Sequence, residues 1–149
     1  MSSLGAALDH ASVCTNVSEI WIAAGTYFPT DTGDVNISFE IDRPLRLYGG
    51  FAGTESNLAE RDIATNPTIL SSEMGDPLDG SDNSETILTI AGVQDSVIID
   101  GFSFTGRGLG NYQPSMLGGA IEATSSLVAI RNCDFSGLGG APYGGGAIY

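Results

Sequence analysis

The sequence predicts an all-β chain: a right-handed parallel β-helix, or solenoid, with a short N-terminal capping helix. Three observations predict it. The stretch VIIDGFSFTG at Val97 to Gly106 returns as LVAIRNCDFSG at Leu127 to Gly137, so that Phe104-Thr105-Gly106 matches Phe135-Ser136-Gly137 with an offset of 31 residues. Gly-Gly-Ala-Ile at Gly118 to Ile121 returns at Gly145 to Ile148 with an offset of 27. Glycine makes up 21 of the 149 residues and charged residues only 15%, which suits many tight turns and an uncharged surface. Self-similarity at such a period signals a stacked array of structural repeats. Strands this short cannot bury a face alone, but neighbours stacked in parallel coils can.

The elements follow in order. Leu4, Ala7, Leu8 and Ala11 share one helical face at i, i+3, i+4, i+7, which predicts a short amphipathic helix over Leu4 to Ala11. An open first coil exposes strand edges and core, so this helix is read as the N-terminal cap. Glu19 to Ala24 is the first strand, and Gly25-Thr26-Tyr27 is read as a turn. Asn36 to Ile41 is the second, with Ile37, Phe39 and Ile41 on one face. Leu45 to Tyr48 is the third, ended by Gly49-Gly50. Phe51 to Pro67 is irregular, with one helical turn at Glu55 to Arg61. Strands are expected at Thr68 to Ser71, Thr86 to Ile90, Val97 to Asp100, Phe102 to Thr105, Ala120 to Ala123, Leu127 to Arg131 and Asp134 to Ser136. Ser72 to Glu85 is polar and turn-rich and reads as a surface loop, and Gly106 to Gly119 as a long loop.

The bulk numbers set limits. A chain of 149 residues, 42% hydrophobic, suffices for one domain with a core: residues 1–18 as the cap region and 19–149 as coils. Net charge is −13, no lysine occurs, and the five cations are Arg43, Arg46, Arg61, Arg107 and Arg131. Nucleic-acid binding needs a basic face to neutralise phosphates, so that class is excluded. An anionic membrane surface would repel the chain, and no apolar run approaches the ~18 residues of a spanning helix, so membrane insertion is not expected. Met1 is followed by Ser2-Ser3 rather than by a basic segment and an apolar run, and the chain stops mid-coil at Ala147-Ile148-Tyr149. These features lead to the expectation of a fragment of a longer chain, or of a unit that stacks end to end with another copy. Cys14 and Cys133 should lie about four coils apart, roughly 19 Å at ~4.8 Å per coil, beyond the ~7 Å span of a disulfide. Both are therefore expected as free thiols, with Cys133 a small buried hydrophobe.

The same residues carry a resemblance. Gly-Gly-Ala-Ile with Asp134-Phe135-Ser136-Gly137 resembles the GGAI and FxxN repeats of polymorphic outer-membrane proteins and other β-helical bacterial surface proteins, although Leu138 stands where the Asn would be. Ile20-Trp21-Ile22-Ala23-Ala24-Gly25-Thr26-Tyr27 looks like the first coil of pectin-lyase-like secreted proteins. Tyr48 to Glu55, Arg61-Asp62 and Asn66 to Ser71 look like the coils that follow it. The resemblance implies the β-helix and an extracellular or cell-surface location. The role expected is structural or adhesive and non-enzymatic, in a bacterial surface protein; the alternative is a carbohydrate-active β-helix of polysaccharide-binding or lyase type.

Candidate chemistry remains to be weighed. Asp76, Asp79, Asp82 and Asn83 are hard oxygen ligands on a Gly-rich loop, suited to Ca²⁺ but not in EF-hand spacing, and such residues also dominate ordinary turns. Asp31 and Asp34 are a weaker version of the same idea. Tyr112 and Tyr143 in Gly-rich loops, with Arg107, are candidates for stacking on a polysaccharide. Tyr27, Phe28 and Tyr48 are assigned to packing. A fold shared with polysaccharide lyases does not carry their activity. The hydrolases of that fold add Asn-Thr-Asp, Asp-Asp, His-Gly and Arg-Ile-Lys motifs, and none occurs here. A lyase would need Arg107 or Arg131 beside Asp100, Glu122 or Asp134. His10, the one histidine, reads as solvated. No cofactor other than Ca²⁺ is expected. The partners expected are another copy, further coils of a parent chain, or a polysaccharide.

Overall fold

The computed structural model describes residues 3–76, 79, 81–106, 119–138 and 147–148. Among the described residues, one α-helix, α1 (Leu4–Val13), precedes eleven short strands. They are β1 (Glu19–Ala23), β2 (Gly25–Tyr27), β3 (Phe39–Ile41), β4 (Arg46–Phe51), β5 (Thr68–Ser71), β6 (Leu88–Ala91), β7 (Ser96–Asp100), β8 (Phe102–Thr105), β9 (Ile121–Thr124), β10 (Leu127–Arg131) and β11 (Asp134–Ser136). They form three sheets, ordered β1-β4-β7-β10, β2-β5-β8-β11 and β3-β6-β9. Every pairing is parallel. The chain visits the sheets in strict rotation, so each inner strand of a sheet pairs with the strand one pass earlier and the strand one pass later. The fold is therefore strand-rich and parallel, with one helix at its start.

The repeats seen in the sequence are the lateral partners of the sheets. Phe104 lies beside Phe135, Val97 beside Val128, and Ile121 beside Ile148. A repeat offset becomes a register because each pass must return the same side chain to the same inward position. A slip of one residue would turn the apolar set outward. The core is built of aligned columns. Tyr27, Leu70, Phe104 and Phe135 form one across the second sheet. Ile20, Leu47, Ile99 and Ile130 form one across the first. Phe39, Leu88 and Ile121 form one across the third. Leu47, Leu88, Ile99, Phe104 and Ile121 have no exposed surface at all.

α1 extends two residues beyond its expected end and buries Leu4, Leu8 and Ala11 near β3. Ser3 is its N-cap, the side-chain oxygen accepting from the Ala6 N–H at 3.1 Å. Carbonyls at and beyond its last turn are left without helical partners. Arg43 supplies them: its guanidinium donates to Ala11 O (3.0 Å), Val17 O (2.6 Å) and Thr15 O (2.9 Å). A residue expected only to mark a turn thus ties the helix to the strands.

Several boundaries differ from expectation for local reasons. Gly25-Thr26-Tyr27 is strand β2 rather than a turn, because it pairs with Thr68-Ile69-Leu70. The second strand begins at Phe39 rather than Asn36. Asp34 Oδ1 accepts from both the backbone N–H and the amide of Asn36 at 3.0 Å, which holds Asn36 in a turn and leaves Ile37 exposed. β4 runs through Gly49-Gly50 to Phe51 instead of ending there. The helical turn in the irregular stretch is a single 3₁₀ turn at Leu58–Glu60. Ser72 to Glu85 is not wholly surface, since Ser72, Asn83 and Ser84 are buried at its stems. Cys133 is half-buried rather than buried, and it and Cys14 are free thiols.

Gly49 explains why β4 continues. A Cβ there would stand 2.4 Å from Gly101 O and 3.0 Å from the Thr68 Cβ. Adjacent passes approach so closely that only glycine fits. Thr68, itself buried, accepts from the Gly50 N–H at 2.9 Å and lies 3.3 Å from both Ile22 O and Ala23 O as donor. Gly49→Ala should cost about 1–3 kcal/mol, the usual range for an overpacked interior. Urea denaturation reads the loss; no change in midpoint would mean that the passes can separate without cost.

Candidate functional site

A groove of about 580 Å³ lies where three separated segments meet: the start of α1, the run from Thr26 to Asp31 after β1, and Glu73-Met74 after β5. Its apolar wall includes Leu4, Tyr27, Phe28 and Pro29, and among the described residues its charged members are Asp31 and Glu73. Phe28 is 45% exposed, so it is a surface aromatic rather than packing. Tyr27 is half-buried; its hydroxyl donates to Ala23 O at 3.1 Å, and burial pushes its pKa upward. Sequence reasoning assigned both aromatics to packing, which holds for Tyr27 and not for Phe28. Only the alternation of Tyr27 inward and Phe28 outward could have separated them.

Glu73 joins this groove to the acidic loop. Its Oε2 accepts from the Asn83 amide at 3.2 Å, while Oε1 is shielded from solvent and has no hydrogen-bond partner among the described residues. Asn83 Oδ1 accepts from the Met74 N–H at 3.2 Å, and Asp82 Oδ2 accepts from the Asp76 N–H at 2.8 Å. Asp79 Oδ1 accepts from the backbone N–H and hydroxyl of Ser81. Three of the four residues proposed for Ca²⁺, Asp79, Asp82 and Asn83, therefore brace the loop with side-chain oxygens, and Asp76 takes part through its backbone. Asp82 Oδ1 and Ser72 Oγ are likewise shielded and without a partner. Among the described residues, no three His, Cys, Asp or Glu side chains converge to hold a metal ion.

The best-connected polar cluster stands elsewhere. Arg61 Nη2 lies 3.0 Å from Asp100 Oδ2, and Nη1 donates to Gly49 O and Asp100 O at 3.2 Å each. The guanidinium sits 5.3 Å over the Tyr48 ring. Asn132 donates to Asp100 Oδ1 at 2.8 Å, from a left-handed backbone (φ 48°) that Asn tolerates well. Asp100 is thus fully engaged, which removes it from the lyase set. Arg131 and Asp134 are exposed strand residues. Arg107, Tyr112 and Tyr143 lie outside the described residues. His10 is exposed, its Nδ1 3.8 Å from the Cys14 sulfur. Among the described residues, no helix is long and apolar enough to cross a membrane.

Four surface carboxylates are held below the usual carboxylate range by hydrogen bonds. Asp34 receives them from Asn36, Glu55 first from Ala52, Asp62 first from Thr65 and Asp79 first from Ser81. A carboxyl whose folded pKa is depressed adds stability above its unfolded pKa and loses it as pH falls through the folded value. With salt high enough to screen the net charge of −13, the melting temperature should hold steady from neutrality to about pH 5 and drop below about pH 4. Asp62→Asn keeps an acceptor but removes the charge. Its deficit at neutral pH should shrink on acidification, and a deficit independent of pH would contradict the assignment.

Comparison with protein-family models, with curated proteins and with solved structures returns no match for this chain.

Proposed function

We propose that the chain is a right-handed parallel β-helix serving as a non-enzymatic structural or adhesive unit of a secreted or cell-surface bacterial protein. In this reading it associates end to end, with another copy or with further coils of its parent chain. The observation that carries the reading is the strict rotation through three parallel sheets with aligned inward columns. Parallel crossovers between strands of one sheet are right-handed in about 98% of cases, which gives the hand. Among the described residues, no strand pairs with the outer edge of β10 or β11, and Leu127 on β10 is 62% exposed. An unpaired strand edge is a template for another chain, through main-chain hydrogen bonds. A head-to-tail contact of that kind does not close and can propagate.

The alternative is a carbohydrate-active β-helix of polysaccharide-binding or lyase type. A lyase needs a groove with clustered carboxylates beside an arginine, and the groove above holds Asp31 and Glu73 with no arginine among its described lining residues. Light scattering and negative-stain microscopy over a range of concentrations test the proposal. Concentration-dependent oligomers or fibres are expected. A monomer at every concentration, with no binding to a second β-helical chain, overturns the end-to-end contact.

A further inference from the structure

We propose that the groove between α1 and the Thr26–Asp31 run is a binding site for a small organic ammonium compound with an aliphatic or aromatic body. Its volume of about 580 Å³ falls within the range of small-molecule sites, ~300–1,000 Å³. Charge complementarity selects the ligand class. Among the described residues the lining holds two carboxylates and no cation, and the chain as a whole carries −13, so anionic ligands are repelled. Glu73 in the lining has one carboxylate oxygen without a donor among the described residues, so its charge is incompletely neutralised, and an ammonium group in the groove answers that charge better than a neutral hydroxyl. Phe28 presents an exposed ring in the same wall, which attracts a cation over its face or packs against the ligand's carbon body. Leu4 and Pro29 extend that apolar surface. The site gathers residues from three distant segments, so it exists only in the folded chain. It goes beyond the structural reading above and does not depend on end-to-end contacts.

The test is isothermal titration calorimetry of the folded chain with n-hexylammonium, n-hexanol and n-hexanoate, which share one apolar tail and differ in charge. Hexylammonium should bind at least tenfold more tightly than hexanol, and hexanoate should not bind. Asp31→Asn, Glu73→Gln and Phe28→Ala should each weaken hexylammonium binding by at least threefold. Asp31 and Phe28 are exposed, so those two variants should keep the parent's circular dichroism spectrum and melting curve. Asp95→Asn removes one exposed charge elsewhere and should leave binding unchanged. Equal weakening by Asp95→Asn would reduce the effect to general attraction by an acidic protein and overturn the site. Equal binding of the three probes, or binding of a neutral disaccharide in preference to the amine, would also overturn it.

Discussion

Arg61→Ala should destabilise the fold by about 3 kcal/mol. Breaking a buried ion pair typically costs ~3–5 kcal/mol because the abandoned charge stays desolvated, and the 14% exposure of the Arg61 side chain places this pair at the low end. The loss would be more than electrostatic. Gly49 O and Asp100 O would each lose a donor, and the Tyr48 ring would lose its covering cation. Asp100→Ala should cost a similar amount, since it strands the guanidinium and removes the acceptor of the Asn132 amide. The double variant Arg61→Ala/Asp100→Ala should lose clearly less than the sum, because neither partner is then left alone. Arg61→Lys should recover only part of the stability, as an ammonium lacks the planar fork that reaches two carbonyls and a carboxylate together. Urea denaturation of the four variants reads all of this. A loss below ~1 kcal/mol for both single alanine variants would show that solvent reaches the cluster and that it is not a clamp.

This cluster also shows what the sequence carried and what it did not. Repeats revealed register because like side chains must stack. Phe104 on Phe135, Val97 on Val128 and Ile121 on Ile148 were all legible as offsets before any coordinates. The capping helix was legible because four apolar residues kept the helical period. Arg61 follows the 3₁₀ turn in the irregular stretch and Asp100 ends β7, 39 residues on, and no period links them. Arg43 was invisible as a cap for the same reason: it reaches back 26 to 32 residues to carbonyls that carry no side-chain signal. β2 was missed because Gly25-Thr26-Tyr27 has the composition of a turn and becomes strand only through its partner Thr68-Ile69-Leu70. The groove draws on three segments far apart in sequence, so its two carboxylates and Phe28 become neighbours only when the passes stack. In the acidic loop, residue types alone could not separate turn bracing from ion binding, since Asp and Asn oxygens serve both.

Phe104→Ala should be the most damaging single truncation in the second sheet, at about 3–5 kcal/mol. Phe104 has no exposed surface. Its ring stacks on Phe135 at 4.9 Å with 5° between planes, and it meets Phe102 at 6.4 Å in a tilted arrangement. Leu70 precedes it in the same column. Removing the ring leaves a void between packed passes on both sides, and paired parallel strands cannot close in to fill it without losing their hydrogen bonds. Phe135→Ala offers the internal control. The sequence treats the two phenylalanines as equivalents of one repeat, and on that basis their costs would match. Phe135 is only half-buried and sits on the edge strand β11, so its truncation should cost about 1–2 kcal/mol, in line with partial burial. A Phe135 cost equal to that of Phe104 would instead mean that another surface covers β11 in solution. Repeating both measurements across protein concentrations separates the cases: cover by a second copy makes the Phe135 cost rise with concentration, whereas the Phe104 cost stays constant.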